Sequence, residues 1–446
     1  KCGLCLPYCP TFRLTGDESE SPRGRIALIQ AQLSGQLPPS RQLNAHLDHC
    51  LLCRACEPAC PSLVPYGTLM DGVRALRVSQ QTKLRTQLTR WLLDLLSQPR
   101  FLPIFWLGAG IARLLGKPML QRLQRGKGAT AVLAGLLLQL RRPRSLPEDH
   151  TPDGGPDKPI QSIHAGIMSA HPGAASVRNG DAATDHQSVE RHPKQQAGSQ
   201  QPPQPQISLF LGCVARSLTP TTAESATQVL QQLGYQVQIP VQQTCCGALH
   251  RHQGHSERAD ALLARNIAVF GHAQPVIGFA SACVAELRTP PTSKSSQASG
   301  TTADHPAGGL ALAGQQRDNE PPGLDARELC RFLAETDWPE TSKPRPLQAT
   351  VAIHRPCSQR NQLRDPDAAR ALLSRIPELQ LTDLQDDNLC CGAAGAHLIQ
   401  HSETAVALAD AKIAGLRERR PDYLVTTNTG CATHLQARLA AAGLEI

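Results

Sequence analysis

Cys50-Leu51-Leu52-Cys53-Arg54-Ala55-Cys56-Glu57-Pro58-Ala59-Cys60-Pro61 places four cysteines in an unbroken C-x2-C-x2-C-x3-C-P run. That spacing is the bacterial one for a [4Fe–4S] cluster, where closely spaced thiolates on a tightly turning chain hold the irons. Cys2, Cys5 and Cys9, followed by Pro10, repeat the last three cysteines and the proline. Where two such runs occur, the fourth cysteine of each ligates the other cluster. This predicts Cys9, Cys50, Cys53 and Cys56 around one cluster, and Cys2, Cys5 and Cys60 around a second. The chain opens at Lys1 without methionine, inside the upstream motif, so it reads as cut ahead of that point. Two [4Fe–4S] clusters are then expected in the full-length protein, one of them a ligand short in this sequence. Paired C-x2-C thiols also hold structural zinc, but the regular spacing and both trailing prolines favour iron–sulfur.

A second pattern follows. Cys213, Cys245-Cys246-Gly247 and Cys283 are matched by Cys357, Cys390-Cys391-Gly392 and Cys431. The offsets are 144 (213 to 357), 145 (246 to 391) and 148 (283 to 431) residues, which marks a duplication. Apolar β-type runs at 207–211, 276–280, 350–353 and 423–426 alternate with helical patterns at 221–233, 256–270, 367–373 and 403–417. Such alternation predicts an α/β layer with a mostly parallel sheet, whose sites lie beyond the carboxyl ends of the strands. The eight cysteines Cys213, Cys245, Cys246, Cys283, Cys357, Cys390, Cys391 and Cys431 fall there, four thiols to each half. They read as ligands of a further iron–sulfur or other thiolate-bound metal, against zinc, inert buried thiols or a redox-active pair. The glycine after each pair is expected to let the backbone approach a bulky cluster. His250 and His354 read as surface or hydrogen-bonding histidines, and Cys330, without a counterpart, as buried and unligated.

The fold class expected is thus α + α/β: a helical two-cluster ferredoxin-like domain, then a duplicated α/β cysteine-rich domain. The boundaries read as 1–80 for the former, 81–142 for a helical connector, and 207–289 and 324–446 for the two repeats. Residues 143–206 hold sixteen Pro or Gly and no aromatic or cysteine, and read as a disordered linker. Residues 290–323, with ten Pro or Gly, read as a low-complexity insertion. The 446 residues carry a net charge of +8 but only 3% aromatics, which argues against nucleic-acid binding and suits an acidic partner or an anionic membrane surface. No run of eighteen apolar residues occurs, although the apolar patch at 101–115 reads as a buried helix or a surface for a membrane or partner. Gly108-Ala109-Gly110 is not a dinucleotide fingerprint, because Arg113 fills the small-residue position. A chain with cluster ligands and no flavin or nicotinamide site should carry electrons for a partner that performs the substrate chemistry.

The stretches Cys2 to Pro10, Gly16-Asp17-Glu18, Ser21-Pro22-Arg23-Gly24-Arg25 and Cys50 to Pro61 resemble the iron–sulfur subunit of bacterial glycolate oxidase (glycolate dehydrogenase). So do Leu211-Gly212-Cys213, Thr244-Cys245-Cys246-Gly247-Ala248, Leu389-Cys390-Cys391-Gly392 and Asn428-Thr429-Gly430-Cys431. The duplicated halves resemble the cysteine-rich domain that this subunit shares with heterodisulfide reductase, lactate-utilisation proteins and anaerobic glycerol-3-phosphate dehydrogenase. The resemblance implies an electron conduit in an oxidoreductase complex. A flavin-containing partner oxidises glycolate to glyoxylate, and this subunit passes the electrons towards quinone at the inner face of the cytoplasmic membrane. It also implies a cytoplasmic protein, peripherally associated with that membrane. A lactate or glycerol-3-phosphate dehydrogenase subunit is the neighbouring expectation, and a zinc-stabilised scaffold the one from another class.

Overall fold

In the computed structural model, residues 2–97, 116, 119–124, 126, 129–139, 204–272, 274–290 and 323–446 are described. The patch at 101–115, the Gly108-Ala109-Gly110 stretch, nearly all of the 143–206 linker and the interior of the 290–323 insertion lie outside them.

The apolar runs at 207–211 and 276–280 become β1 (Gln206–Phe210) and β3 (Val276–Gly278). With β2 (Gln236–Gln238) and β4 (Ala326–Glu328) they form a sheet of order β2-β1-β3-β4, parallel throughout. In the second half, β5 (Ala349–His354), β6 (Leu379–Asp383) and β7 (Tyr423–Thr426) form a parallel sheet of order β6-β5-β7. The shared order, with the first strand of each half in the middle, bears out the duplication as structure. β4 stands within the stretch assigned by sequence to the second repeat, yet it extends the first sheet.

Both faces of the first sheet are covered, which is why its central strands read as near-continuous apolar runs. Ile207 and Leu209 pack on Ala223, Ala226 and Leu230 of helix Pro220–Gln232 and on Phe332. Phe210 and Val276 face Leu263 and Phe270 of helix Ser256–Phe270. In the second half, Ala352 packs on Ala409 and Ile413 of helix Ser402–Ala414 and on Leu435 of helix Thr429–Ala441.

Ahead of the sheets, no strand occurs among residues 2–97, and helices Pro10–Thr15, Pro22–Leu33, Arg41–Asp48 and Tyr66–Ser79 surround the first cysteine group. The caps are legible. Ser21 and Ser40 accept hydrogen bonds from the Gly24 and Leu43 amides at 3.0 and 3.1 Å, and Pro10 and Pro22 occupy first turns. Ile29, Leu43, Leu47, Tyr66 and Met70 close a small core behind Cys50 and Cys56. Residues 1–149 and 205–446 together make one compact unit. No described helix is long and apolar enough to cross a membrane.

Candidate functional site

Cys9 is the N-cap residue of helix Pro10–Thr15, with Pro10 in its first turn. Cys9, Cys50, Cys53 and Cys56 all line one small recess, together with Tyr8, Tyr66 and Arg25. These are the four thiols that the crossed-ligand rule assigns to one cluster. Leu52 and Arg54 hold left-handed φ of 53° and 56°, so the chain coils tightly between successive cysteines. Cys50 Sγ accepts from the Leu52 amide at 3.5 Å and from the Tyr66 hydroxyl at 3.8 Å. Of the other set, Cys5 is half-buried near Cys60 and Cys9, while Cys2 is exposed and faces the Arg23 guanidinium along with Cys5.

Arg25 lies beneath the recess at 1% exposure. Its guanidinium donates to the His46 carbonyl (2.7 Å), to Thr11 Oγ1 (3.1 Å) and to both the carbonyl and the carboxylate of Glu20. Burial works against its charge, but Cys50, Tyr66, Cys9 and Glu20 oppose that loss. A fixed cation thus sits where several thiolates would gather. Burial pushes the Cys53 and Cys56 thiols up, so they ionise only with a cation beside them. Four converging thiols, inward amide donors and a buried counter-charge fit an anionic thiolate cluster.

In the first repeat, the free thiols of Cys213 and Cys245 touch at 3.4 Å, and Cys246 is hydrogen-bonded to both Cys245 and Cys283. Hydrogen bonds from Cys213 and Cys246 hold Cys245 well below the ordinary thiol range. In the second, Cys357 and Cys390 are 3.9 Å apart and Cys391 and Cys431 3.1 Å. Every one of the eight lies past the carboxyl end of a strand. Contacts this short approach the edge of a sulfur tetrahedron around one ion, about 3.8 Å for metal–sulfur bonds near 2.3 Å. A cubane would need the thiols opened outward.

Several residues enter that the sequence reading left aside. His250 and His354 are buried, at 0% and 1% exposure, which overturns a surface placement. His250 Nε2 lies 3.2 Å from an Asp94 carboxylate oxygen. His354 ends β5, its Nδ1 3.1 Å from Asp387, and ligand atoms of His354, Cys391 and Cys431 lie within 4.8 Å of one another. The first repeat has Phe210 at the equivalent place, 144 residues back, so the two sites are chemically unequal. Lys412, 1% exposed, donates to the Asp386 carbonyl at 2.9 Å and faces Cys431. Cys330 is half-buried near the start of helix Leu329–Glu335, away from both groups.

The second repeat adjoins the first recess. Cys53 packs with Cys390 and Leu408, with Cys357 against them, and Asn361 Nδ2 donates to the Cys53 carbonyl at 2.7 Å. The glycine role needs revising. Gly247 and Gly392 have φ of 100° and 89°, and a Cβ at Gly392 would stand 2.7 Å from Ala405 Cα and carbonyl oxygen. At Gly247 it would stand 3.0 Å from the Ala259 carbonyl oxygen. What approaches each glycine is a packed helix.

Residues 1–64 match the family model of the 4Fe-4S dicluster domain, and residues 207–288 and 351–436 match that of the cysteine-rich domain. Along its whole length the chain is 27% identical to the probable glycolate oxidase iron-sulfur subunit of Bacillus subtilis (strain 168), covering 89% of that protein. It is 28% identical over 97% of its length to the glycolate oxidase iron-sulfur subunit of Escherichia coli (strain K12), covering 88%. Lactate utilization protein A of Oceanobacillus iheyensis is 25% identical over 54% of this chain. The chain is thus a relative, end to end, of iron–sulfur subunits of glycolate oxidase.

Proposed function

We propose that this chain, as such a relative, is the electron-transfer subunit of an oxidoreductase complex whose flavin-containing partner oxidises glycolate, and that it hands the electrons on towards quinone. The observation that carries the reading is the single recess lined by Cys9, Cys50, Cys53 and Cys56, with Cys53 packed against the thiol group of the second repeat. A [4Fe–4S] cluster on those four thiolates supplies reversible one-electron storage. The chain's own part is to bind, neutralise and dry the site. Arg25 offsets thiolate charge, Tyr66 and the Leu52 amide donate to Cys50, and Leu51, Ala55 and Leu408 exclude water. Cys2, Cys5 and Cys60 are the ligands proposed for the second cluster. A further thiolate-bound metal centre is proposed for each repeat: Cys213, Cys245, Cys246 and Cys283 in one, Cys357, Cys390, Cys391 and Cys431 in the other. The complex would lie in the cytoplasm, at the membrane face where quinone is reached.

The test is copurification with the flavin subunit, followed by assay of quinone reduction on glycolate and on lactate. Brown protein with glycolate-driven reduction supports the proposal. Colourless protein carrying zinc would support the scaffold, and lactate-driven reduction alone would move the substrate to the neighbouring class. The latter is the one alternative with an observation behind it, the partial match to lactate utilization protein A.

A further inference from the structure

Three histidines meet beside the first cysteine group, His49 directly preceding Cys50. His49 closes helix Arg41–Asp48, His397 opens helix His397–Gln400, and His401 follows one turn later. The H-x3-H spacing puts His397 and His401 on one helix face. Their ring centroids are 4.6 Å apart, and that of His49 lies 5.9 Å from the first and 4.9 Å from the second. One ring nitrogen from each lies within 4.8 Å of the others.

The hydrogen bonds fix which nitrogens carry a lone pair. His397 Nε2 donates to the His49 carbonyl at 3.1 Å, so Nδ1 carries the lone pair. That atom is buried, in a residue 4% exposed, and has no hydrogen-bond partner among the described residues. His49 Nδ1 donates to Glu20 Oε2 at 2.9 Å, leaving Nε2 as the acceptor, 2.7 Å from the Thr404 hydroxyl. Glu20 is anchored in turn by Arg25 and His46. A carboxylate that orients a histidine through its outer N–H is the usual support of a metal-binding imidazole. Burial, and after it neighbouring cationic groups, push both His397 (to about 3) and His401 down, so both are neutral at pH 7. Only the neutral ring binds a metal. His401 also lines an open recess with Asp48, Arg74 and Gln400, which gives an ion a way in.

We propose that His49, His397 and His401 bind one divalent transition-metal ion, zinc foremost, which clamps the segment carrying Cys50 to the second repeat. Zinc–nitrogen bonds near 2.1 Å need nitrogens about 3.4 Å apart. The half-buried His401 is the ring with room to swing inward, and the Thr404 hydroxyl gives up its bond to His49 Nε2. A water or the same hydroxyl completes a tetrahedron. The clamp would hold His49, and with it Cys50, against helix Ser402–Ala414.

The test uses the full chain with its clusters assembled, loaded with zinc ions and desalted. Metal analysis should find about one more zinc per chain in the parent than in His401→Gln, and zinc-edge X-ray absorption should show a nitrogen and oxygen contribution that this variant loses. His397→Gln and His401→Gln should each weaken zinc binding at least about tenfold with iron content unchanged. His401 is half-exposed, so its variant reads the site even if the His397 variant misfolds. Zinc should raise the melting temperature of the parent chain and not that of the variants. Absence of retained zinc, a sulfur shell unchanged by His401→Gln, or equal zinc binding in the His401 variant overturns the proposal.

Discussion

Cys53 stands where two thiol groups meet, so its side chain does more than fill one ligand position. Cys53→Ser should lower iron by about four per chain and cut quinone reduction at least about tenfold, while substrate still bleaches the partner's flavin. Iron analysis and the two optical assays check this, and full iron with full quinone reduction would remove Cys53 from the cluster. A different residue carries a pH dependence. Glu328 caps helix Leu329–Glu335, accepting from the Cys330 and Arg331 amides at 3.0 and 3.2 Å. Burial pushes its carboxyl from about 4.5 up to about 7, despite those amide bonds. A carboxyl raised on folding binds its proton more tightly in the folded chain. Its contribution is therefore full below about 4.5 and is lost as pH rises through about 7. Glu328→Gln keeps an acceptor without the charge. Urea unfolding should show the parent losing on the order of 3 kcal/mol more than the variant between pH 4.5 and 8. Equal slopes would mean that water reaches the carboxylate.

At the scale of the elements, the two Gly-helix contacts form a built-in comparison with Gly234. All three glycines have left-handed φ, but a Cβ at Gly234 (φ 88°) meets nothing within 4 Å, whereas at Gly392 it meets the backbone of Ala405. Gly234→Ala should cost only the left-handed strain, about 1 kcal/mol, and Gly392→Ala about 3 kcal/mol or more, read from urea midpoints. Equal losses would show that helix Ser402–Ala414 can give way. The same contrast explains what sequence reading caught and missed. Central strands β1, β3 and β5 were legible because burial on both sides leaves apolar runs, and the edge strand β7 because Tyr423-Leu424-Val425-Thr426 is β-type throughout. The edges β2, β4 and β6 were not, since Gln236-Val237-Gln238 and Leu379-Gln380-Leu381-Thr382-Asp383 are half-exposed and mix polar with apolar residues. Thiols announce themselves by spacing, so all fifteen motif cysteines could be named. His354, read only as a surface or hydrogen-bonding histidine, could not be placed beside them, because a lone histidine at a strand end acquires meaning only when Cys391 and Cys431 arrive from distant parts of the chain. Gly392 was legible as special and so was the helical pattern at 403–417, but that the two pack against each other was out of sight.

At the scale of the whole molecule, the helical front of the chain is tied to the repeats by contacts that span more than 160 residues of sequence. Arg74 donates to the His252 carbonyl, His49 bonds Thr404, Asn361 donates to the Cys53 carbonyl and Gln124 to the Ala437 carbonyl, each at 2.7 Å. Asp94 receives Arg258 at 2.8 Å, and Leu51 packs on Leu408. Several of these are buried donors and acceptors that would be left unpaired if the parts separated, at about 1–3 kcal/mol apiece. Residues 150–203 lie outside the described ones, and their composition lacks the apolar side chains needed for a core of their own. Two results should follow. Deleting 154–200 should leave iron per chain within about a tenth of the parent, since unpaired length there contributes little to folding. A protease cut within the same stretch should give two fragments that stay together through gel filtration and keep their iron. Separation of the fragments, or loss of soluble protein on deletion, would mean that the segment itself holds the halves in place. In that case the contacts around Cys53 are too weak to keep the front recess against the second repeat, and the proposed electron route between them would need the chain uncut.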